Sequence, residues 1–530
     1  DVITSSAAIS ACERSERWAL ALVMLADMDK RGVEPNVVSY NAAISVCERA
    51  SRLDLGLELL QEVKRRRIAR TMSSSLWALA RLSASDPDVI RVAVAEATSK
   101  LDAAAETPMQ LSTMSWSLGM LGIQDLTPFR ILSQAAVPRV REFKTRELLR
   151  LAWGFAASGA SAGLASAIQK EVVARLDACQ VQEFLGPAGA GMVFDVLGIV
   201  WALAFTGYLG ANLAASARRA LVRLGRFRDR SHDETPPTVL APSARDVHLR
   251  ISPKASDMTE HTPKILLHLE DRLVVIKPPG WEVYDEHSHL DERQLSSFLQ
   301  AELPASRWPI LHEEGARHGR GFLHRLDVPS SGLILAAKTY EAYYDLRLQL
   351  SVGEMVRDYV GLCHGYLPSY LRAVCARVNW RDGLATDARQ QGKPSRTHLK
   401  VLVHALHGRG TFTLVVVRIA TGRRHQIRSH CSHKGHPIVC DGMYSAQPTL
   451  QGDWEVCERN FLHRYRLAFK DATGTEREVV AAVWPDLARA LRRLVARTGQ
   501  SQEALDDWLS GVRPMDWSYY HGVGHPRVAS

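Results

Sequence analysis

From Asp1 to about Arg230, apolar residues recur every third or fourth position, the spacing of a single helix face. The pattern predicts a helix around Ala7–Arg14 and another around Ala19–Lys30, with Gly32 and Pro35 as the stop. It then starts again. Laying Asp1–Pro35 over Asn36–Arg70 without gaps matches thirteen positions, among them Ala7/Ala42, Ala8/Ala43, Ile9/Ile44, Cys12/Cys47 and Leu25/Leu60. A second periodicity follows, with Trp77, Trp116, Trp153 and Trp201 in LWALARL, SWSLGML, AWGFAAS and VWALAFT. Six residues after each Trp stands Ser83, Gly122, Gly159 or Gly207, a small residue suited to a helix C-cap and turn. The tryptophans are therefore expected to be core knobs between stacked helices. The glycine-rich FLGPAGAG at 184–191 reads as an insertion.

Val196–Ala217 carries no charge over 22 residues, which alone would be a membrane-span candidate. Its counterpart beginning at Trp153 has the same layout and ends in charged QKEVVAR, and Gly207, Gly210 and Asn212 interrupt the run. A two-helix unit fits better. The Pro- and Ser-rich DETPPTVLAPSARD then marks a linker near 230–260.

Beyond the linker the grammar changes. KILLH and LVVIK read as two strands around a polar turn, followed by Pro278, Pro279 and Gly280. FLHRLD runs into a Pro-Ser-Ser-Gly turn and then LILAA, a wholly apolar run typical of a buried strand. YEAYYDLRLQL reads as a helix, MVRDYVGLCHGYL and TFTLVVVRI (411–419) as strands, and TGRRHQIRSHCSHKG (421–435) as a helix stopped by Gly435. The domains expected are two repeats over 1–70, Trp-containing repeats over 71–229, the linker, a mixed α/β unit over 261–490 and an extension over 491–530.

Composition changes this picture little. The 530 residues hold 66 Lys+Arg against 57 Asp+Glu, a net charge of +9, with 46% hydrophobic and 23% charged residues. Those values exclude wholesale disorder, and the charge leans towards a polyanionic partner. Eight cysteines without a CxxC pair argue against a disulfide scaffold or zinc ribbon. Residue 1 is Asp rather than Met, so an address and further repeats are expected upstream. Basic residues cluster at 64–67 and from Arg218 to Arg230, where phosphate contact and a solvated helix face are equally good readings.

Asp327 stands two residues after Arg325, at the edge of a buried strand and ahead of Ser330 and Ser331. A carboxylate there must be paired to stay charged, and a nearby Arg lowers its pKa. Held so, it can serve as nucleophile or base, although a turn Asp on the surface is the ordinary alternative. His425, His430, Cys431, His433 and His436 form a dense run, but His425 and His436 point away from the His430/His433 face and HExxH is absent, which argues against a metal site.

Two family resemblances carry further. VVSYNAAISVCERASRLDLGLELLQEVKRR resembles the pentatricopeptide repeat, stacked helical hairpins that read single-stranded RNA. That resemblance implies base choice at the fifth and last positions, Ser6 with Asn36 and Asn41 with Thr71; a hairpin that binds protein is the alternative. LEDRLVVIKPPG, HRLDVPSSGLILAAKT, VRDYVGLCHG, ATGRRHQIRSHCSHKGHPIVCD and FLHRYRLAF follow one another in the order of the RluA-type pseudouridine synthases, and FLHRYRLAF resembles that family's last strand. The combined resemblance implies an N-terminal all-α helical-repeat solenoid and a C-terminal α+β synthase fold on a mixed or antiparallel sheet. It implies Asp327 as the catalytic Asp, Arg325 filling the space of a flipped uridine, Tyr359 packing on the base, Ile427 as apolar wall and Arg428 as the ion pair of Asp327. Arg424, where the family has Thr, adds charge near the RNA, and Cys440 and Ser445 replace small glycines. No cofactor is needed for an isomerisation. The expected partner is RNA (ribosomal, transfer or messenger) and neither DNA nor membrane; the chain is expected to be a monomer of mitochondrion or plastid. A non-catalytic RNA-binding factor on the same fold is the second function class.

Overall fold

The structure is a computed structural model that describes residues 1–12, 17–49, 52–65, 72–81, 87–99, 106–159, 161–180, 187–231, 250–251, 261–284, 293–313, 317–378, 385–386, 392–510 and 517. Most of the expected linker, Ser83 and Thr71 lie outside them.

The repeats fold as a succession of helices: α1 (Val2–Ala11), α2 (Trp18–Lys30), α3 (Val37–Arg49), α4 (Leu53–Arg65), α5 (Met72–Arg81) and α6 (Pro87–Ser99). They continue as α7 (Pro108–Met120), α8 (Thr127–Ala136), α9 (Thr145–Ser158), α10 (Ala162–Ala178), α11 (Pro187–Phe205) and α12 (Ala211–Ser231). Polar caps set the starts: Asp1 accepts from Thr4 N–H at 2.8 Å, and Thr107 and Gln110 form a capping box at α7. Gly122, Gly159 and Gly207 all have positive φ at the ends of α7, α9 and α11, the conformation that stops a helix. The turn at Gly207 divides the uncharged run, and no described helix is long and apolar enough to cross a membrane. Trp116 and Trp153 are half-buried with their rings 6.3 Å apart, and Trp116 packs against the main core. A Cβ on Gly154 would fall 2.3 Å from Ser115 O, so α7 and α9 meet through small residues.

The second half is built on β1 (Arg250–Ile251), β2 (Lys264–His268), β3 (Arg272–Lys277), β4 (Ser331–Ala337), β5 (Val356–His364) and β6 (Ala373–Val378). It adds β7 (Ala385–Thr386), β8 (Lys393–His407), β9 (Gly410–Ile419), β10 (Leu462–Lys470), β11 (Glu476–Val480) and β12 (Val495–Ala496). Its helices are α13 (Leu295–Glu302), α14 (Pro309–His312), α15 (Tyr340–Val352), α16 (Gln426–His433), α17 (Gln447–Asp453), α18 (Pro485–Arg492) and α19 (Gly499–Leu509). The sheet runs β2-β3-β4-β10-β5-β9-β8-β6-β7, with β4 and β10 parallel at its centre. FLHRYRLAF is therefore an interior strand, with β11 after it. Gly332 makes the parallel pairing possible: a Cβ there would sit 2.4 Å from Arg464 O.

Two departures from the sequence pattern matter. KPSRTHLKVLVHALH forms the long strand β8, which periodicity had not marked. The segment 421–435 is helical only from Gln426, because the Gln426 carboxamide accepts from Thr421 Oγ1 and Arg423 N–H and ties 421–425 into a loop.

Array and sheet share one continuous core from Leu76 to Trp508, whereas Ile9, Ala21, Leu25 and Ala43 belong to a separate small cluster of α1–α4. α12 lies on α15. Asp229 accepts from the Tyr340 and Glu341 N–H groups at 2.8 and 3.0 Å, capping α15 from outside. Arg377 of β6 reaches into the array and donates to Gly119 O and Ala157 O, the carbonyl ends of α7 and α9.

Candidate active site

Asp327 sits in the loop that enters β4, its side chain 18% exposed. Three basic side chains hold that loop. Lys277, at the end of β3, donates to Pro278 O, Trp281 O and Val328 O at 2.9, 2.7 and 3.0 Å. Burial drives its ammonium well below the usual lysine range. Arg459 donates to Pro329 O and Ser331 Oγ while paired with Asp486. Arg464 of β10 donates to His324 Nδ1 and Leu333 O, to Arg325 O at 3.4 Å, and to the Tyr359 hydroxyl.

The carboxylate faces α16. Arg428 donates from one terminal nitrogen to Asp327 Oδ2 at 2.8 Å and grips Asp441 bidentately at 2.6 and 2.7 Å. Burial would lower the guanidinium, but the hydrogen bonds and charges of Asp441 and Asp327 outweigh it and raise the pKa above the ordinary value. Asp441 is fully buried and uses both oxygens on Arg428, so the arginine keeps one arm for Asp327 in a fixed geometry. His425 Nε2 lies 3.8 Å from Asp327 Oδ1, and its Nδ1 is 3.3 Å from the Tyr444 hydroxyl. Burial, then the charges of Arg428 and Arg424, push His425 down despite Asp327. It is the neutral imidazole at physiological pH. The Tyr444 hydroxyl is pushed up to about 12 by burial and so stays protonated.

The residues singled out in the sequence fall into two groups. Asp327 and Arg428 touch; Ile427 is buried beside Arg428. Tyr359 is buried on β5, tied to the Asp327 loop through Arg464. Arg325 is half-exposed, 3.9 Å from Glu282, and Arg424 is exposed in the loop before α16. Ser6 lies instead on α1, Asn36 just before α3 and Asn41 on α3. The Ser6 hydroxyl is buried against Ser39 Oγ at 2.8 Å, and Asn36 Oδ1 accepts from the Val38 and Ser39 N–H groups. Asp441, Lys277, Arg459, Arg464 and Tyr444 had not been marked as site residues, although KPPG and CDGMY carried two of the signals. Cys440, where a glycine was expected, adopts φ +61°, held by its N–H on Asp453 Oδ2 at 2.7 Å and its thiol on Cys457 O. The histidine run is dispersed: His436 bonds His364 O, His430 is buried, and no group of three metal-type ligands gathers among the described residues.

The RNA pseudouridylate synthase family matches residues 272–433, and the pentatricopeptide repeat domain matches residues 1–73. Ribosomal large subunit pseudouridine synthase C of Escherichia coli O6:H1 is 32% identical over 243 residues, 43% of this chain and 70% of that protein. Ribosomal large subunit pseudouridine synthase D of Nitrosomonas europaea is 32% identical over 219 residues, 40% and 59%. The structure of Human RNA Pseudouridylate Synthase Domain Containing 1 aligns with 25% identity and a TM-score of 0.35, covering 46% of this chain and 95% of that one. With the synthase family matching 272–433 and a relative 32% identical spanned over 70% of its length, the chain belongs to the RluA-type RNA pseudouridine synthases, a family of isomerases, and carries a pentatricopeptide repeat segment over residues 1–73 ahead of its synthase half.

Proposed function

We propose that Asp327 is the catalytic carboxylate by which this protein converts uridine to pseudouridine in RNA. The observation that carries the reading is the 2.8 Å contact of Asp327 with Arg428, a guanidinium whose other arm is saturated by buried Asp441. A carboxylate fixed by a guanidinium and left 18% exposed is the kind of group an isomerisation at C1′ requires. The uracil of a paired or stacked uridine must first leave its stack, at a cost of a few kcal/mol. Half-exposed Arg325 is suited to fill the space left behind. Tyr359 and Ile427 supply apolar surface for the extruded base. The N1–C1′ bond then breaks, the base turns, and C5 joins C1′; the proton lost from C5 is balanced by one gained at N1. His425 is close enough to Asp327 to influence these transfers as a neutral imidazole.

The array assists by holding RNA through the pentatricopeptide-type helices α1–α4, while the exposed Arg424 of the synthase half adds positive charge beside the site. Ribosomal RNA is the first substrate class to examine, since the named relatives act on the large ribosomal subunit; transfer and messenger RNA are the others. Mitochondrion or plastid is the proposed compartment, on the strength of the repeats. The test is to express the full chain and Asp327→Ala and map pseudouridine in a uridine-containing RNA pool. Wild type forms pseudouridine and Asp327→Ala loses it by about 10³-fold or more; equal product from both sinks the assignment.

A further inference from the structure

Where α11 meets the sheet there is a cleft of about 260 Å³, lined by Trp201 and Phe205 from the array and by Arg357, Arg396, His398 and Arg418 from the synthase half. Its chemistry is unlike that of a structural seam. Trp201 and Phe205 are stacked, centroids 5.3 Å apart at 26°. The Arg396 guanidinium lies over the Phe205 ring at 5.1 Å and that of Arg423 over Trp201 at 4.7 Å. No carboxylate is among the lining residues. Of the acids beside lining residues, Asp358 is fully buried and divided between Arg418, at 2.7 and 2.8 Å, and Arg466, at 2.9 Å, and Glu354 pairs with Arg218 and Lys470 at 3.0 and 3.6 Å.

The positive charge is undercompensated. Arg357 is 4% exposed, and its Nε has no hydrogen-bond partner. Arg423 Nε and one terminal nitrogen are buried in the same condition. Burial pushes both guanidinium groups down to about 10, Arg464 and Arg423 adding to the effect at Arg357. Buried donors without acceptors are costly and uncommon, and a ligand that supplies oxygen atoms removes the cost. Aromatic faces interleaved with arginines are the composition of sites that take a base and its phosphate from a single strand. The cleft also adjoins the loop 421–425, from which His425 and α16 reach Asp327.

We infer that this cleft is a second RNA site, taking a phosphodiester-linked nucleotide of the strand outside the catalytic pocket, its phosphate on Arg396 and Arg357 and its base against the Trp201–Phe205 pair. The inference rests on the reading that RNA is the substrate, and it makes the junction, formed jointly by array and sheet, a contact neither half owns.

The experiment measures binding of the full chain to a uridine oligonucleotide of about 30 residues over a range of salt. Arg396→Glu is expected to weaken binding about tenfold and to lower the slope of log K on log salt by about 0.7–1, the share of one phosphate contact. Arg489→Glu on α18, with the same charge change, is the control. Equal losses from both variants, or no loss from Arg396→Glu, overturn the site. Should Arg396→Glu melt early, the wild-type chain supplies a second readout. A 4-thiouridine RNA is expected to crosslink to the peptide containing Trp201 and Phe205, and crosslinks confined to other peptides overturn the proposal. Neither readout needs turnover. A chain that passes both but forms no pseudouridine loses its enzymatic reading and keeps the cleft; an active chain that fails both keeps the first and loses the second.

Discussion

The array and the sheet hold their polar groups in opposite ways. In the array, many ion pairs are local and near the surface, as in Arg31 with Asp27, Arg91 with Asp88 and Arg139 with Glu142, each three or four residues apart, with Arg146–Asp195 and Arg219–Asp177 as the longer-range exceptions among the described residues. Its helices meet through small residues such as Ser115 and Gly154. In the sheet, the cations are buried and their partners are distant: Arg428 reaches Asp327 across 101 residues, Arg464 reaches Tyr359 across 105, Arg466 reaches Asp358 across 108. Exposed local pairs contribute little individually. Buried ones cost severely when one partner is removed, because the other charge is left unpaired in low dielectric. The array can therefore drift in sequence at small cost, while the site depends on a few contacts that must all be present.

That contrast is broken most sharply at Asp441. Asp441→Ala strips the bidentate partner from Arg428, leaving a guanidinium 8% exposed with Asp327 alone. We expect a loss of about 3–5 kcal/mol in stability, read as a fall in Tm, and a drop in pseudouridine formation of about 100-fold. Asp27→Ala in the array, by the same measurements, changes neither.

Acid separates the halves next. All 20 histidines lie at position 232 or beyond, so none belongs to the helices α1–α12. Burial, with Arg459 adding to it, depresses His463 to about 3, and burial depresses His430 to about 4. Folded pKa values below the ordinary one mean that the unfolded chain binds more protons. Stability is full above about pH 6.5 and lost as pH falls towards 4, at about 1.4 kcal/mol per pH unit for each histidine. In the array, burial raises the buried Asp195, which gives the opposite sign. Hydrogen exchange at pH 5 against pH 7 is expected to accelerate in β4, β10 and α16 well before α7–α12; equal acceleration erases the contrast.

The join between the halves responds less. A Cβ on Gly225 would lie 2.3 Å from Glu341 Cα and 2.6 Å from its nitrogen. Gly225→Ala forces α12 off α15 and strains the Asp229 cap, an overpacking cost of about 1–3 kcal/mol. Limited proteolysis between α12 and the sheet is the check, and unchanged cleavage would mean that the two halves are not held by this contact.

The same contrast explains what was legible in the sequence. Helical repeats are local, so the 35-residue register and the Trp-to-glycine spacing exposed them, down to positive φ at Gly122, Gly159 and Gly207. Asp327 and Arg428 were legible only because their motifs resemble a family's; spacing alone left Asp327 an ordinary turn residue. Asp441, Lys277 and Arg464 stayed hidden, since nothing local distinguishes a lysine that will bind three carbonyls from one that faces water. The start of α16 was misplaced for a related reason: the Gln426 side chain competes for the preceding loop, a contact that helix periodicity does not encode. The place of β10 at the centre of the sheet follows from its parallel pairing with β4, and strand pattern says nothing of partner.

The smallest expected effect bears on the oldest question about the array, whether its repeats read RNA at Ser6 and Asn41. The Ser6 hydroxyl is buried and bonded to Ser39, which also bonds Asn36 Oδ1 at 3.2 Å. Ser6→Ala removes one buried hydrogen bond at a cost of about 1 kcal/mol, confined to the small cluster of α1–α4. If Ser6 serves only that bond, Ser6→Ala raises hydrogen exchange in α1 and α3 and leaves RNA affinity unchanged. If it also contacts a base, affinity falls for one nucleotide at one position of the RNA and not for the others. Asn41→Ala, half-buried on α3, supplies the paired measurement, because a base-reading pair of repeats predicts losses at adjacent nucleotides, whereas a structural pair predicts none.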